Sequence, residues 1–169
     1  MIKSMPSYYD AVAPGYDELH EQEQLKKLRL IESAVPELRR PGIRVLDVGC
    51  GTGLATAFFN CATGVDQSDC MLKVARARYP ELKFVQASAE SLPFGNDSFD
   101  AVLSLTAVQN FSDAERGLRE IRRVGRSLFV LSFFKRATRA VELEQLIKSL
   151  FNVITKLEEM HDLIFVCRK

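Results

Sequence analysis

A carboxylate, three closely spaced glycines and a second carboxylate open the chemical reading of this chain: Asp47, Gly49, Gly51, Gly53 and Asp66. Residues 45–53 read Val-Leu-Asp-Val-Gly-Cys-Gly-Thr-Gly. The apolar start predicts a strand covered on both faces. The glycines let the backbone turn sharply and let a ligand approach with no Cβ in the way. Thr52 is expected to cap a helix beginning at Leu54. Strand, glycine turn and helix N-terminus together make a cradle for a nucleotide-type ligand. The spacing is G-x-G-x-G, Leu54 stands where a dinucleotide fingerprint needs its third glycine, and the P-loop pattern is absent. Asp47 would repel a pyrophosphate, so a cationic or amine-bearing ligand fits better. Asp66, at the end of the next predicted strand, can accept hydrogen bonds from both ribose hydroxyls.

An alternating series of elements must hold these residues. Periodicity predicts strands over 44–48, 62–66, 83–86, 99–104 and 127–133. Helices are expected over 21–33, 52–59, 68–78, 113–124 and 139–151. Two more strands, near 153–156 and 163–168, suggest a mostly parallel α/β sheet finished by an antiparallel strand. In the first helix Leu25, Leu28 and Ile31 form the apolar stripe, and Lys26, Lys27 and Arg29 are expected on the wet side. Arg116, Arg119, Arg122, Arg123 and Arg126 are expected to form a solvated helix face.

The length, 169 residues, suits a single domain: an N-terminal lid and helix over 1–40, then a core over 41–169. A net charge of +1 gives no polyelectrolyte character, so affinity for nucleic acid would need a local patch. Apolar runs are too short to cross a bilayer and the start lacks a signal-peptide pattern, so a cytoplasmic location is expected. The four cysteines lack C-x-x-C spacing and the two histidines stand apart, so no metal site is expected. Cys50 is read as loop packing rather than as a nucleophile.

S-adenosylmethionine has the required character: an α-amino group, a sulfonium and no phosphate. The 45–53 run resembles motif I of the class I S-adenosylmethionine-dependent methyltransferases. Gly64-Val65-Asp66-Gln67-Ser68, followed by Met71-Leu72 and Ala75, is similar to that family's second-strand segment. Residues 84–94 resemble its adenine-binding turn, 98–102 its fourth-strand entry, and Tyr8-Tyr9-Asp10 with Ala13-Pro14-Gly15-Tyr16-Asp17 the leader of one subgroup. The resemblance implies a Rossmann-like seven-stranded sheet with helices on both faces, and S-adenosylhomocysteine as product. It also implies cofactor contacts from Tyr16, Asp47, Gly49, Cys50, Gly51, Gly53, Asp66, Gln67, Met71, Ser88, Ala89, Glu90, Leu105 and Thr106. The family usually carries Asp where this chain has Ser88, a weaker acceptor for the adenine amine; Ala89 would still contribute its backbone N–H. Met71 and Leu72 either sandwich the adenine or belong to the core.

Other residues bear on the acceptor. Thr106, Gln109 and Asn110 follow the fourth predicted strand, where substrate meets the methyl group in such folds. The absence of an N-P-P-[YF] element weighs against adenine-N6 or glutamine-N5 as acceptor. Lys135, Arg136 and Arg139 follow the fifth strand on the same rim and suit a phosphate or carboxylate. Tyr8, Tyr9, Tyr16 and Asp17 form an aromatic leader that either folds over the cofactor as a lid or anchors the terminus. Candidates for catalysis are His20, Tyr16 and Asn110. The Y-D leader and L-P-F turn resemble quinone-biosynthesis methyltransferases and imply a small-molecule acceptor. Ala107-Val108-Gln109 resembles a family that methylates guanine N7 in ribosomal RNA, which would imply an RNA substrate and a small activator protein as partner. DNA is not expected. A non-catalytic cofactor-binding protein is the third reading.

Overall fold

A computed structural model describes residues 16–169, with side chains from residue 21 onward. The chain enters through helix α1 (Tyr16–Ala34) and a 3-10 turn (Pro36–Arg39). It then alternates through β1 (Val45–Val48), α2 (Leu54–Phe58), β2 (Thr63–Asp66), α3 (Asp69–Arg78), β3 (Phe84–Gln86) and β4 (Phe99–Ser104). A 3-10 turn (Val108–Asn110) leads to α4 (Ala114–Val124), β5 (Gly125–Phe134), α5 (Ala140–Leu150) and the hairpin β6 (Asn152–Glu158) and β7 (Asp162–Arg168).

The strands form one sheet in the order β3-β2-β1-β4-β5-β7-β6. Neighbours from β3 to β5 run parallel, and β7 lies antiparallel between β5 and β6. Side chains alternate across the pleat. Leu46, Val102, Phe129, Leu131 and Phe165 pack on one face under α4 and α5, which contribute Leu118, Ile121, Leu143 and Ile147. Val45, Ala101, Leu103, Val130 and Ile164 pack on the other face with Leu28 and Ile31 of α1. Leu72 and Ala75 of α3 close the β2–β3 margin against Phe84. The chain leaves β1 toward one side and β4 toward the other, so the order reverses between them. Their carboxyl ends therefore open a crevice, the usual binding place of such sheets.

Three local expectations are corrected. Helix α2 starts after Gly53, which occupies the N-cap in a left-handed conformation (φ 87°), so Thr52 is not the cap. Arg126 lies on β5 and pairs with Asp100 at 2.7 Å rather than extending a helix face. Lys27 is not on the wet side: it is 1% exposed, among the largest fully buried side chains.

Candidate functional site

The crevice is built from four strand ends. Val48 ends β1 and Gly49 to Thr52 follow it, Asp66 ends β2 and Gln67 and Ser68 follow it, Ala87, Ala89 and Glu90 follow β3, and Leu105 to Ala107 follow β4. Gly49 and Cys50 donate their N–H groups to the Val65 carbonyl at 2.8 and 2.9 Å, locking the glycine turn to β2. A Cβ on Gly49 would lie 2.4 Å from the Ala107 Cβ, so the turn can close on the β4 loop only with glycine there. Gly51 differs: a Cβ there would meet nothing within 4 Å. Its bare Cα leaves open space at the cavity wall, as close approach of a ligand to the backbone requires.

Asp66 fixes this wall. Its Oδ2 accepts from Gly51 N at 2.8 Å and its Oδ1 from Ser68 N at 2.9 Å. Ser68 caps α3 by accepting from Met71 N at 3.2 Å. Asp47 is 1% exposed and accepts from the Thr56 hydroxyl at 2.7 Å. Burial pushes its carboxyl up to about 6, against the Thr56 hydrogen bond and with help from the negative charge of Asp66. Burial likewise holds the Cys50 thiol well above its usual range.

The charges lining the cavity have one sign. Asp47, Asp66 and Glu90 face it, and no lysine or arginine does among the described residues. A second cleft opens beside it on the same rim, lined by Gln109, Asn110, Phe134, Lys135, Arg136, Arg139, Met160 and His161 among others. Its described lining holds cationic side chains and no carboxylate. Asn110 lines both spaces.

Residues 46–133 match the model of the methyltransferase domain family. The chain belongs to this methyltransferase family. It is 39% identical over 118 residues to the uncharacterized protein MJ1252 of Methanocaldococcus jannaschii, covering 69% of this chain and 45% of that one. It is 35% identical over 136 residues to a demethylmenaquinone methyltransferase of Renibacterium salmoninarum, covering 74% and 56%. The chain thus spans about half the length of the curated relatives it matches. Among solved structures, the complex of the Haloferax volcanii Trm112 methyltransferase activator and its methyltransferase gives a TM-score of 0.74 at 20% identity, covering 98% of this chain and 99% of that one. These likenesses and the sheet order make this a class I S-adenosylmethionine-dependent methyltransferase domain. The cavity's chemistry fits the cofactor of that family: its lining carboxylates suit a ligand bearing a sulfonium and an ammonium, and the open space at Gly51 suits a ligand close to the backbone.

Sequence reasoning about this methyltransferase meets the geometry unevenly. Asp47, Gly49, Cys50, Gly51, Asp66, Gln67, Met71, Ala89, Glu90, Leu105 and Thr106 line the acid-lined cavity. Gly53 does not; a Cβ there would strike the Phe84 ring at 2.8 Å, so its glycine serves packing. Ser88 does not either: its hydroxyl donates to the Glu90 carboxylate and accepts from Glu90 N at 3.2 Å. Leu72 is core and Met71 is wall. The Tyr16 and His20 side chains, and Tyr8 and Tyr9, lie outside the described residues. Gln109 faces only the second cleft, its amide donating to the Thr106 carbonyl at 2.9 Å. The basic rim is partly neutralised: Lys135 pairs with Glu158 at 3.1 Å, and Arg139 pairs with Glu142.

The group that sequence reasoning missed is a buried polar knot. Lys27 Nζ donates to the Thr106 hydroxyl and lies 3.4 Å from Asp162 Oδ2, while the Thr106 hydroxyl donates to Asp162 Oδ1 at 2.9 Å. Burial lowers the Lys27 pKa, opposed by Asp162, Glu159 and Glu23. Thr106 N reaches Ser132 Oγ at 2.8 Å. These bonds hold Thr106 at φ 55°, a conformation that costs a β-branched residue energy and persists only where neighbours dictate it. Gln24 and Leu28, beside Lys27 on α1, line the acid-lined cavity. A lysine next to Leu28 in an amphipathic stripe was the available signal, but its buried partner is distant in sequence.

Proposed function

We propose that this domain transfers a methyl group from S-adenosylmethionine to a small-molecule acceptor. The observation that carries the reading is the junction at Asn110, where an acid-lined cavity meets a cation-lined cleft. In this reading Asp66 receives the ribose hydroxyls, Asp47 attracts the ammonium, and the Ala89 backbone and Met71 flank the adenine. Bound there, the cofactor would supply an electrophilic methyl group: the acceptor's nucleophilic atom would bond to the methyl carbon as the carbon–sulfur bond breaks, with S-adenosylhomocysteine as the leaving group. The chain's task is alignment and exclusion of water, and proximity accounts for much of the acceleration. Asn110 would orient the acceptor at the boundary, and no strong base is needed for an acceptor already nucleophilic. The relative named a demethylmenaquinone methyltransferase supports a small acceptor. An activator protein, as in the Haloferax complex, is a fitting partner.

An RNA acceptor is the second reading, favoured by the cationic lining of the cleft. The test is methyl-labelled S-adenosylmethionine supplied to the purified chain with a metabolite extract and, separately, with total RNA. Label in a small-molecule fraction is the expected result. Label confined to RNA would overturn the small-molecule reading.

A further inference from the structure

The second cleft has a composition that narrows the acceptor. Lys135 and Arg139 are held by Glu158 and Glu142, so their charge is largely spent on the rim. Arg136 is exposed and, among the described residues, has no acidic or hydrogen-bonding partner. It follows Lys135, whose N–H is fixed to the His161 carbonyl at 2.8 Å, so the turn that carries Arg136 is anchored on the β6–β7 connection. His161 faces Glu23 at 3.2 Å and is likewise engaged. The cleft therefore presents one uncommitted guanidinium.

Two large apolar side chains are exposed on its walls. Phe134 is 41% and Met160 67% exposed, and both line the cleft. Phe134 ends β5, and Met160 stands in the β6–β7 connection. Aromatic and thioether side chains are adaptable surfaces for a flat ring. A guanidinium is the group best shaped for a carboxylate or phosphate, which it binds through two parallel hydrogen bonds.

We propose that the acceptor is a small molecule with an apolar, ring-like body and one carboxylate or phosphate, the body lying between Phe134 and Met160 and the anion on Arg136. This rests on the small-molecule reading above. The charge division then sorts the two ligands: the cationic cofactor enters the acid-lined cavity, the anionic acceptor enters the cation-lined cleft, and Asn110 marks their meeting point. Each space repels the other's ligand.

The test uses the full chain loaded with S-adenosylhomocysteine, titrated calorimetrically with phenyl phosphate, benzoate and uncharged benzamide. The two anions are expected to bind at least tenfold more tightly than benzamide. Arg136→Gln should weaken phenyl phosphate at least fivefold, Arg136→Lys should restore part of the loss, and S-adenosylhomocysteine affinity should not move. Arg119→Gln, on the exposed flank of α4, is the surface control and should change nothing. Benzamide binding as tightly as the anions, or anion binding indifferent to Arg136→Gln, would overturn the proposal. Passing the labelled metabolite products over an anion exchanger separates the two layers of the argument. Retained label supports the anionic acceptor. Label in the neutral fraction overturns it and leaves the small-molecule reading standing, while label confined to RNA overturns both.

Discussion

Asp47 is buried, and burial raises its carboxyl to about 6. In the folded chain the carboxyl binds its proton more tightly than its ordinary 3.8. Between pH 4 and 6 the folded state therefore holds more protons than the unfolded, and this group's contribution to stability falls as pH rises through that window. In the proposed reading Asp47 attracts the cofactor's ammonium in its ionised form, so cofactor affinity runs the other way. We expect S-adenosylmethionine to bind about tenfold more weakly at pH 5 than at pH 7, and Asp47→Asn to flatten that dependence while lowering affinity at pH 7. Calorimetry at three pH values checks this; an unchanged slope in the variant would remove Asp47 from cation recognition. Lys27 is a residue of the opposite kind. Lys27→Met leaves Asp162 buried without its cation and should cost about 3–5 kcal/mol by denaturant unfolding. Adding Asp162→Asn should recover much of that, and strictly additive losses would show that the two side chains act separately.

At the scale of elements, the strand-helix alternation was readable because each strand is a short apolar run and each helix has an apolar stripe. Strand β4, expected over 99–104, is Phe99–Ser104. Helix α1, expected from residue 21, begins at Tyr16; its first residues, Tyr16 and Asp17, read as the end of the tyrosine- and proline-punctuated leader. Most of the glycine cradle was legible, since its residues are contiguous. The Lys27–Thr106–Asp162 knot was not, because it joins α1, the β4 loop and β7 across the fold, and periodicity reports only a residue's neighbours on its own element. The same limit hid Arg123, expected on a wet face. Its guanidinium reaches the carbonyls of Phe94 at 2.8 Å and Leu92 at 3.1 Å and pairs with Glu120. It thus ties α4 to the segment that follows Ala89 and Glu90. Arg123→Met should cost about 1.5–3 kcal/mol of stability and speed hydrogen exchange selectively over residues 90–97. Uniform acceleration across the chain would contradict a local tie.

For the whole molecule, a net charge of +1 conceals a division into an acid-lined and a cation-lined space. Such a molecule should discriminate ligands by charge without being a polyelectrolyte. S-adenosylhomocysteine at a hundredfold excess over its Kd should stabilise the fold by about 2.7 kcal/mol, a rise in Tm of about 5–10 °C for a domain of this size. NAD, with its pyrophosphate, should leave Tm unchanged. A shift with NAD and none with the methyl-donor product would contradict the assignment of the cavity.

The position of β7 also orders the events of synthesis. Strand β6 leaves the ribosome first, yet the strand it pairs with in the sheet is β7, which emerges after it. Until residues 162–168 are out, β5 presents the backbone edge that β7 will later cover, with buried Phe129, Leu131 and Phe133 beside it. At about 5–20 residues per second, that edge stays open for a second or more after β5 has formed. An uncovered apolar edge is a template for pairing with another chain. A stall between β5 and β7 is thus the stage of translation at which this nascent protein would most need a chaperone.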